Sequence, residues 1–347
     1  MGCNEKKERY IYIDIIKIVA ILGVILIHVA DQYKTQIAVT SNKWGAMNFW
    51  IAIGRFSVPA FVMCSGILFL NKVKLSYKEV FCKYIPRLVI AFVIWTLIYA
   101  LKKANFDFNK AIKILYKGIP RAHLWFLIMI TGLYIITPII RIFIKNAKKK
   151  DIEYFLLIAF IIQSLIPFLF EFPKLNWIKN YYKHLYPSVV TGYIGYYVLG
   201  YYLNKYDLSK KKKIICIFLG IVSIISTVIL NMWKSKMLNK PISNFFNEFY
   251  PNIVFYSVFI FIVVKEVCSK INFKDKAKKI IGTIGKNIFG IYLVHMLVKD
   301  FFDVFNINAL MGNAYISIPI VLLLTFIGSL TITYIISKIP IIKRIIL

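Results

Sequence analysis

The chain has 347 residues, 59% of them hydrophobic and 17% charged, with a formal net charge of +30 and a mean hydropathy of +0.69. That hydrophobicity excludes an ordinary soluble domain and indicates an all-α, polytopic integral membrane protein. The positive excess reads as loop and headgroup charge rather than nucleic-acid binding, because no polar stretch is long enough to fold as a basic soluble face.

The first predicted span, Arg9 to Asp31, reads RYIYIDIIKIVAILGVILIHVAD. It is long enough to cross a bilayer, yet it carries Asp14, Lys17 and His28. At about 100° per residue Lys17 lies about 60° from Asp14, and His28 projects between them. All three share one narrow face, and lipid would penalise that face. An ionisable stripe inside a span points to a site.

Hydropathy predicts ten spans, at about 10–30, 46–70, 84–101, 122–144, 152–171, 188–204, 213–233, 249–267, 280–299 and 315–337. The connections are short, so residues 1–347 read as a single membrane domain with no appended soluble domain. Both termini are expected on the cytoplasmic side, because the loops assigned there hold most of the Lys and Arg. One loop departs from that bias: 102–121 carries Lys102, Lys103, Lys110, Lys113, Lys117 and Arg121 on the outer side. No cleavable signal or lipidation signal is read at the N-terminus. The five cysteines are scattered, with no CxxC or Cys/His cluster, so neither a disulfide framework nor a metal site is expected.

In this topology His28, His123 and His295 gather toward the outer side, while Lys17, Lys83 and Arg87 lie near the cytoplasmic ends of the first and third spans. Arg55 falls roughly midway through the second span, where a guanidinium needs a buried partner or an anionic ligand. Pairing with Asp14 is the structural alternative to a ligand role. His184 lies in a Tyr-rich outer loop and reads as ordinary surface.

Five blocks carry a family resemblance. Asp14-x-x-Lys17 followed at a ten-residue interval by His28 resembles the first-span signature of the membrane acyltransferase 3 family. GRFSVPAFVMCSGILFL (Gly54 to Leu70) resembles its second-span pattern, and KYIPRLVIAFVIW (Lys83 to Trp95) its basic entry to the third. HLWFLIMITGLYIITP (His123 to Pro138) is similar to its His-Leu-Trp-Phe block, and GKNIFGIYLVH (Gly285 to His295) to its late Tyr-Leu-x-His motif. The blocks run in family order.

The resemblance implies an integral membrane enzyme of the bacterial cell membrane that moves an acyl group, usually acetyl, from cytoplasmic acyl-CoA to a carbohydrate hydroxyl. It implies no tightly bound cofactor, a lipid bilayer and a carbohydrate acceptor as partners, and room for a separate extracytoplasmic transferase. Acyl transfer needs a base and oxyanion donors. His28 is the first expected base, with His295 and Arg55 as further catalytic candidates. Lys17, Lys83 and Arg87 are the expected contacts of the CoA phosphates, and Asp14, His123, Trp125 and Tyr292 the supporting residues.

Structural readings stand beside these. A membrane histidine is often a helix–helix hydrogen-bond partner, Lys83 and Arg87 serve equally as topogenic charges, and Ser65 and Gly66 read as close packing. The series Tyr193, Tyr196, Tyr197, Tyr201 and Tyr202 offers faces for a sugar or polyprenyl chain, or serves as an interfacial belt or in helix packing. A carrier of a small polar metabolite or an acylated glycan would bury ionisable groups in the same way.

Overall fold

A computed structural model describes residues 10–175, 177–185 and 192–339. Among these, all regular structure is helical. The longer helices are α1 (Ile11–Asp31), α2 (Asn42–Gly54), α3 (Ser57–Leu70), α4 (Ile85–Lys103), α5 (Phe108–Tyr116), α6 (Trp125–Asn146), α7 (Lys149–Ala159), α8 (Ile194–Lys205), α9 (Lys210–Met237), α10 (Pro251–Lys270), α11 (Asp275–Val304) and α12 (Ala314–Lys338).

Nine segments among the described residues are long and apolar enough to cross a membrane, and they coincide with nine of the ten expected spans. The other, 188–204, begins among residues outside the described set. Its described part runs from 192 into α8, a helix of 12 residues.

The burial pattern is that of a protein whose solvent is lipid. Along α9 the buried stripe is Gly220, Ser223, Thr227, Asn231 and Ser235. Its exposed residues include Ile214, Phe218, Ile221, Ile225 and Ile229. On α12 the fully buried Thr325, Ser329 and Thr333 alternate with exposed Leu323, Ile327 and Ile335. Small and polar residues face helices and large apolar ones face outward, which inverts the soluble pattern.

Prolines place the irregularities. Pro59 has no N–H to give the carbonyl of Arg55, and its ring crowds that carbonyl. The second span accordingly breaks at Arg55–Phe56, between α2 and α3. Pro86 and Pro167 each follow a π-turn, at Val80–Tyr84 and Phe160–Leu165. In the first of these Ile85 N donates to Val80 O, five residues back. The wider turn moves backbone out of the proline's way.

The chain divides into two compact units. Unit 1 comprises Met1–Cys64, Leu208–Ile288 and Ile307–Leu322; unit 2 comprises Ser65–Asp207, Phe289–Asn306 and Leu323–Leu347.

In unit 1, α1 packs on α2 through glycines. A Cβ on Gly54 would lie 2.7 Å from the Gly23 carbonyl, and one on Gly23 would lie 3.2 Å from the Gly54 carbonyl. Asn48 Nδ2 donates to Val228 O (3.0 Å) and Tyr256 OH to Ile53 O (2.8 Å), tying α2 to α9 and α10. A polar seam joins α9 and α10, in which Asn252 Nδ2 donates to Thr227 Oγ1 and to Phe245 O.

In unit 2, Gly66 packs bare against the backbone of Tyr197, the close approach expected of that glycine. Tyr197 and Thr137 share a hydroxyl hydrogen bond at 2.9 Å. Arg141 on α6 caps the end of α3, donating to Phe69 O (2.6 Å), Leu70 O (3.3 Å) and Lys72 O (2.6 Å). A helix C-terminus leaves such carbonyls without intrahelical donors, and a cation suits them.

Candidate functional site

Unit 1 collects the first-span residues. Asp14 is buried and pairs with Lys17 at 3.8 Å. The contact draws Lys17 onto the helix face that sequence periodicity assigns to both. Asp14 also lies against Gly285, where any side chain would collide with the carboxylate. Cys64 Sγ donates to the adjoining carbonyl of Ile13 at 3.9 Å.

His28, half-buried, stands near the other end of α1. Ile27 touches the site of the absent Gly54 side chain, so His28 and Arg55 each follow directly on that contact. Arg55 pairs with Glu248 at 3.7 Å and stacks on Phe246, its guanidinium carbon 4.9 Å from the ring centre. This corrects the expected structural alternative: the carboxylate beside Arg55 is Glu248, and Asp14 keeps Lys17. Phe246 also takes the ammonium of Lys34 at 4.6 Å. Lys34 is 2% exposed and donates to Ile242 O and Ser243 Oγ, each at 3.0 Å. Two cations thus share one ring, held by a segment with one carboxylate. A buried lysine is tolerated where its protons are hydrogen-bonded.

Unit 2 holds the remaining candidates in two groups. Near the start of α4, Lys72 donates to Glu79 (2.9 Å) and to Tyr84 OH, and its ammonium lies 4.4 Å over the Tyr84 ring. Burial opposes its charge, but the hydrogen bonds to Tyr84 and Glu79 outweigh that and hold its pKa above the ordinary lysine value. Lys83 is exposed, 5.7 Å from the same ring, and Arg87, also exposed, lies over Phe289 at 5.5 Å. Two of the three cations expected at a donor's phosphates, Lys83 and Arg87, are therefore exposed.

At the far end of α4 a buried ring cluster forms around His123 and His295. Their rings are 5.1 Å apart, and Tyr99 lies 5.0 Å from His123. Tyr99 OH donates to Leu293 O at 2.7 Å, and Tyr292 OH donates to the His123 carbonyl. His295 Nδ1 donates to Tyr292 O at 2.6 Å, since a carbonyl can only accept. That bond fixes the neutral tautomer with Nε2 as the basic nitrogen. Of the expected site residues, His123, Tyr292 and His295 are brought together, and Trp125 packs against Tyr193 at 5.8 Å. His184 is exposed, as its reading requires.

Beside the rings, Asp300 receives Lys102 Nζ at 2.6 Å and the Arg121 guanidinium, with Lys299 Nζ at 3.4 Å. In sequence, Lys102 and Arg121 stand only as loop charge. Their convergence is hidden because Asp300 lies 198 and 179 residues away from them in the chain. Lys34, Glu248 and Arg141 were missed for the same reason. The one available signal was scarcity: only 15 residues are Asp or Glu, so an acidic residue beside a span deserved scrutiny.

The tyrosine series resolves toward packing. Tyr196, Tyr197, Tyr201 and Tyr202 are buried; Tyr202 OH donates to Glu153, and Tyr201 OH accepts from Lys205 at 2.8 Å. Among the described residues no group of three or more His, Cys, Asp or Glu could hold a metal.

A helical membrane protein with buried imidazoles, ordered cations and no strand among its described residues belongs to the class of multi-pass membrane proteins with a polar interior. Within that class the assignment is specific: the acyltransferase domain of the membrane acyltransferase 3 family matches residues 10–338, and the chain belongs to that family. Comparison with curated proteins and with solved structures finds no match.

Proposed function

We propose that the chain moves an acetyl group from acetyl-CoA on the cytoplasmic side to a hydroxyl of a cell-envelope carbohydrate, at the bacterial plasma membrane. The observation that carries this reading is the α1 stripe of an acyltransferase-family chain, anchored by the Asp14–Lys17 pair and ending in a half-buried imidazole. Lys17 and His28 are about 16 Å apart along the axis, a separation suited to an extended thioester arm. Lys17, Lys83 and Arg87 are proposed contacts of the donor's phosphates on charge.

His28 takes the proton of the acceptor hydroxyl as that oxygen attacks the thioester carbon. The C–O bond forms, the carbonyl oxygen becomes an oxyanion, and Arg55 is the proposed donor to it. Collapse breaks the C–S bond, and the proton on His28 passes to the departing CoA thiolate. His295 is assigned to the acceptor, with Nε2 as its contact atom.

Labelled-acetyl transfer in inverted vesicles tests the reading, with wild type beside His28→Ala and equal folded amounts checked by size exclusion. Label reaching an envelope glycan only with His28 present supports it. Equal transfer by the variant moves the base to His295 or His123. Uptake of a labelled small solute with no transfer by either protein would favour the carrier.

A further inference from the structure

The Asp300 carboxylate is a meeting point of cations. Three cations converge on Asp300, and Asp303 is the other acidic residue that acts on Lys299. The exposures are graded: Lys299 at 4% and Asp300 at 16% form a floor, while Lys102 at 37% and Arg121 at 34% form an accessible rim. The two rim cations are thus ordered by a carboxylate beneath them while still open to an incoming anion.

The donors suit an oxyanion. Asp300 Oδ2 receives Lys102 Nζ and a single nitrogen of Arg121. An ammonium has three N–H donors and a guanidinium five, in a fork that matches carboxylate or phosphate. The same end of unit 2 carries His123 and His295, and Asp300 and Lys299 both act electrostatically on His295.

We propose that Lys102, Arg121 and Lys299, ordered by Asp300, form a binding site for a carboxylate or phosphate group. Resting on the acyl-transfer reading, that group belongs to the acceptor, which is then an anionic glycan or a glycan phosphate. The site also accounts for two basic residues of the loop that departs from the positive-inside bias. Lys102 and Arg121 stand there to meet Asp300, and their positions carry a binding role in addition to any topogenic one.

The test is binding, which needs no acyl transfer. Purified protein in zwitterionic nanodiscs is melted with increasing inorganic phosphate, or glucuronate, against chloride at equal ionic strength. Wild type should show a saturable rise in Tm with one of the two anions. Arg121→Gln should weaken that binding about tenfold or more, the loss of a charged hydrogen bond. Arg121→Lys and Lys102→Gln, each melting cooperatively, guard against a misfolded variant and should weaken it less. Absence of a saturable rise with either anion, or equal rises in wild type and Arg121→Gln, overturns the site.

Nanodiscs containing phosphatidylglycerol separate the sources. If that lipid raises the Tm of wild type and not of Arg121→Gln, and the anion that acts in zwitterionic nanodiscs adds nothing further there, the site stands with a headgroup as its anion. In the transfer assay, a raised acceptor KM for Arg121→Gln with an unchanged donor KM places the anion on the acceptor. Saturable binding without any transfer by wild type leaves the site standing and removes the acyl-transfer reading.

Discussion

Gly285 lays its backbone against the carboxylate of Asp14: a Cβ at that position would sit 2.7 Å from Oδ1 and 2.8 Å from the carboxyl carbon. The Asp14–Lys17 pair therefore depends on a missing side chain on another helix. Gly285→Ala should push Asp14 away from Lys17, since a well-packed site gives way only with displaced side chains. The expected outcome is folded protein with a donor KM raised about tenfold, near 1.4 kcal/mol of lost binding. Acceptor KM should stay constant. Steady-state transfer with each substrate varied in turn reads the split.

Arg55 and Glu248 separate electrostatic work from packing. Arg55 stacks on Phe246 and pairs with Glu248, and both side chains are partly exposed. The pair itself contributes little stability at that exposure. If Arg55 meets the oxyanion, Arg55→Gln should lower kcat about a hundredfold or more with KM nearly constant. Glu248→Gln should cost far less, since the guanidinium keeps its charge and its ring. Comparable kcat losses in the two variants would make Arg55 a positioning residue instead.

The contrast between these residues shows what a sequence carries. Asp14, Lys17 and His28 were legible because one helix sets their spacing, and periodicity alone places them on a face. Nine spans were legible because the hydrocarbon thickness sets their length. His123, Tyr292 and His295 were found through motif resemblance, although nothing local says that residues 123 and 295 meet. Lys34, Glu248, Arg141 and Asp300 were not legible as partners. Each acts through a contact across long sequence separation, and a chain of +30 charge offers many equivalent lysines and arginines from which to choose. The break at Arg55 was readable in retrospect from Pro59, four residues on, but hydropathy runs straight through it.

Arg141 is such a hidden residue, and its role is structural. It is 5% exposed and donates to three carbonyls at the end of α3. Arg141→Met fills similar volume but leaves buried acceptors without a donor. The expected loss is about 3 kcal/mol, from charged hydrogen bonds and uncompensated carbonyls. It should appear as a lower Tm in detergent, with transfer per folded molecule close to wild type. Full stability would mean that other donors replace the guanidinium.

Pro59 offers the converse case, in which stability and activity part. The proline breaks the second span at Arg55, the residue whose carbonyl it cannot serve. Pro59→Ala restores an N–H and a helix former at that position, so α2 and α3 can join through Arg55 and Phe56. Residues on a continuous helix turn about 100° each, so closing the break should rotate the Arg55 side chain off Phe246 and away from Glu248. The expected variant melts at or above the wild-type temperature and transfers the acyl group at least about tenfold more slowly, the stability–activity trade expected where a helix break positions a functional side chain. Paired melting and transfer measurements decide it. Unchanged transfer in a stabilised variant would show that the break serves packing alone and that Arg55 acts from a continuous helix equally well.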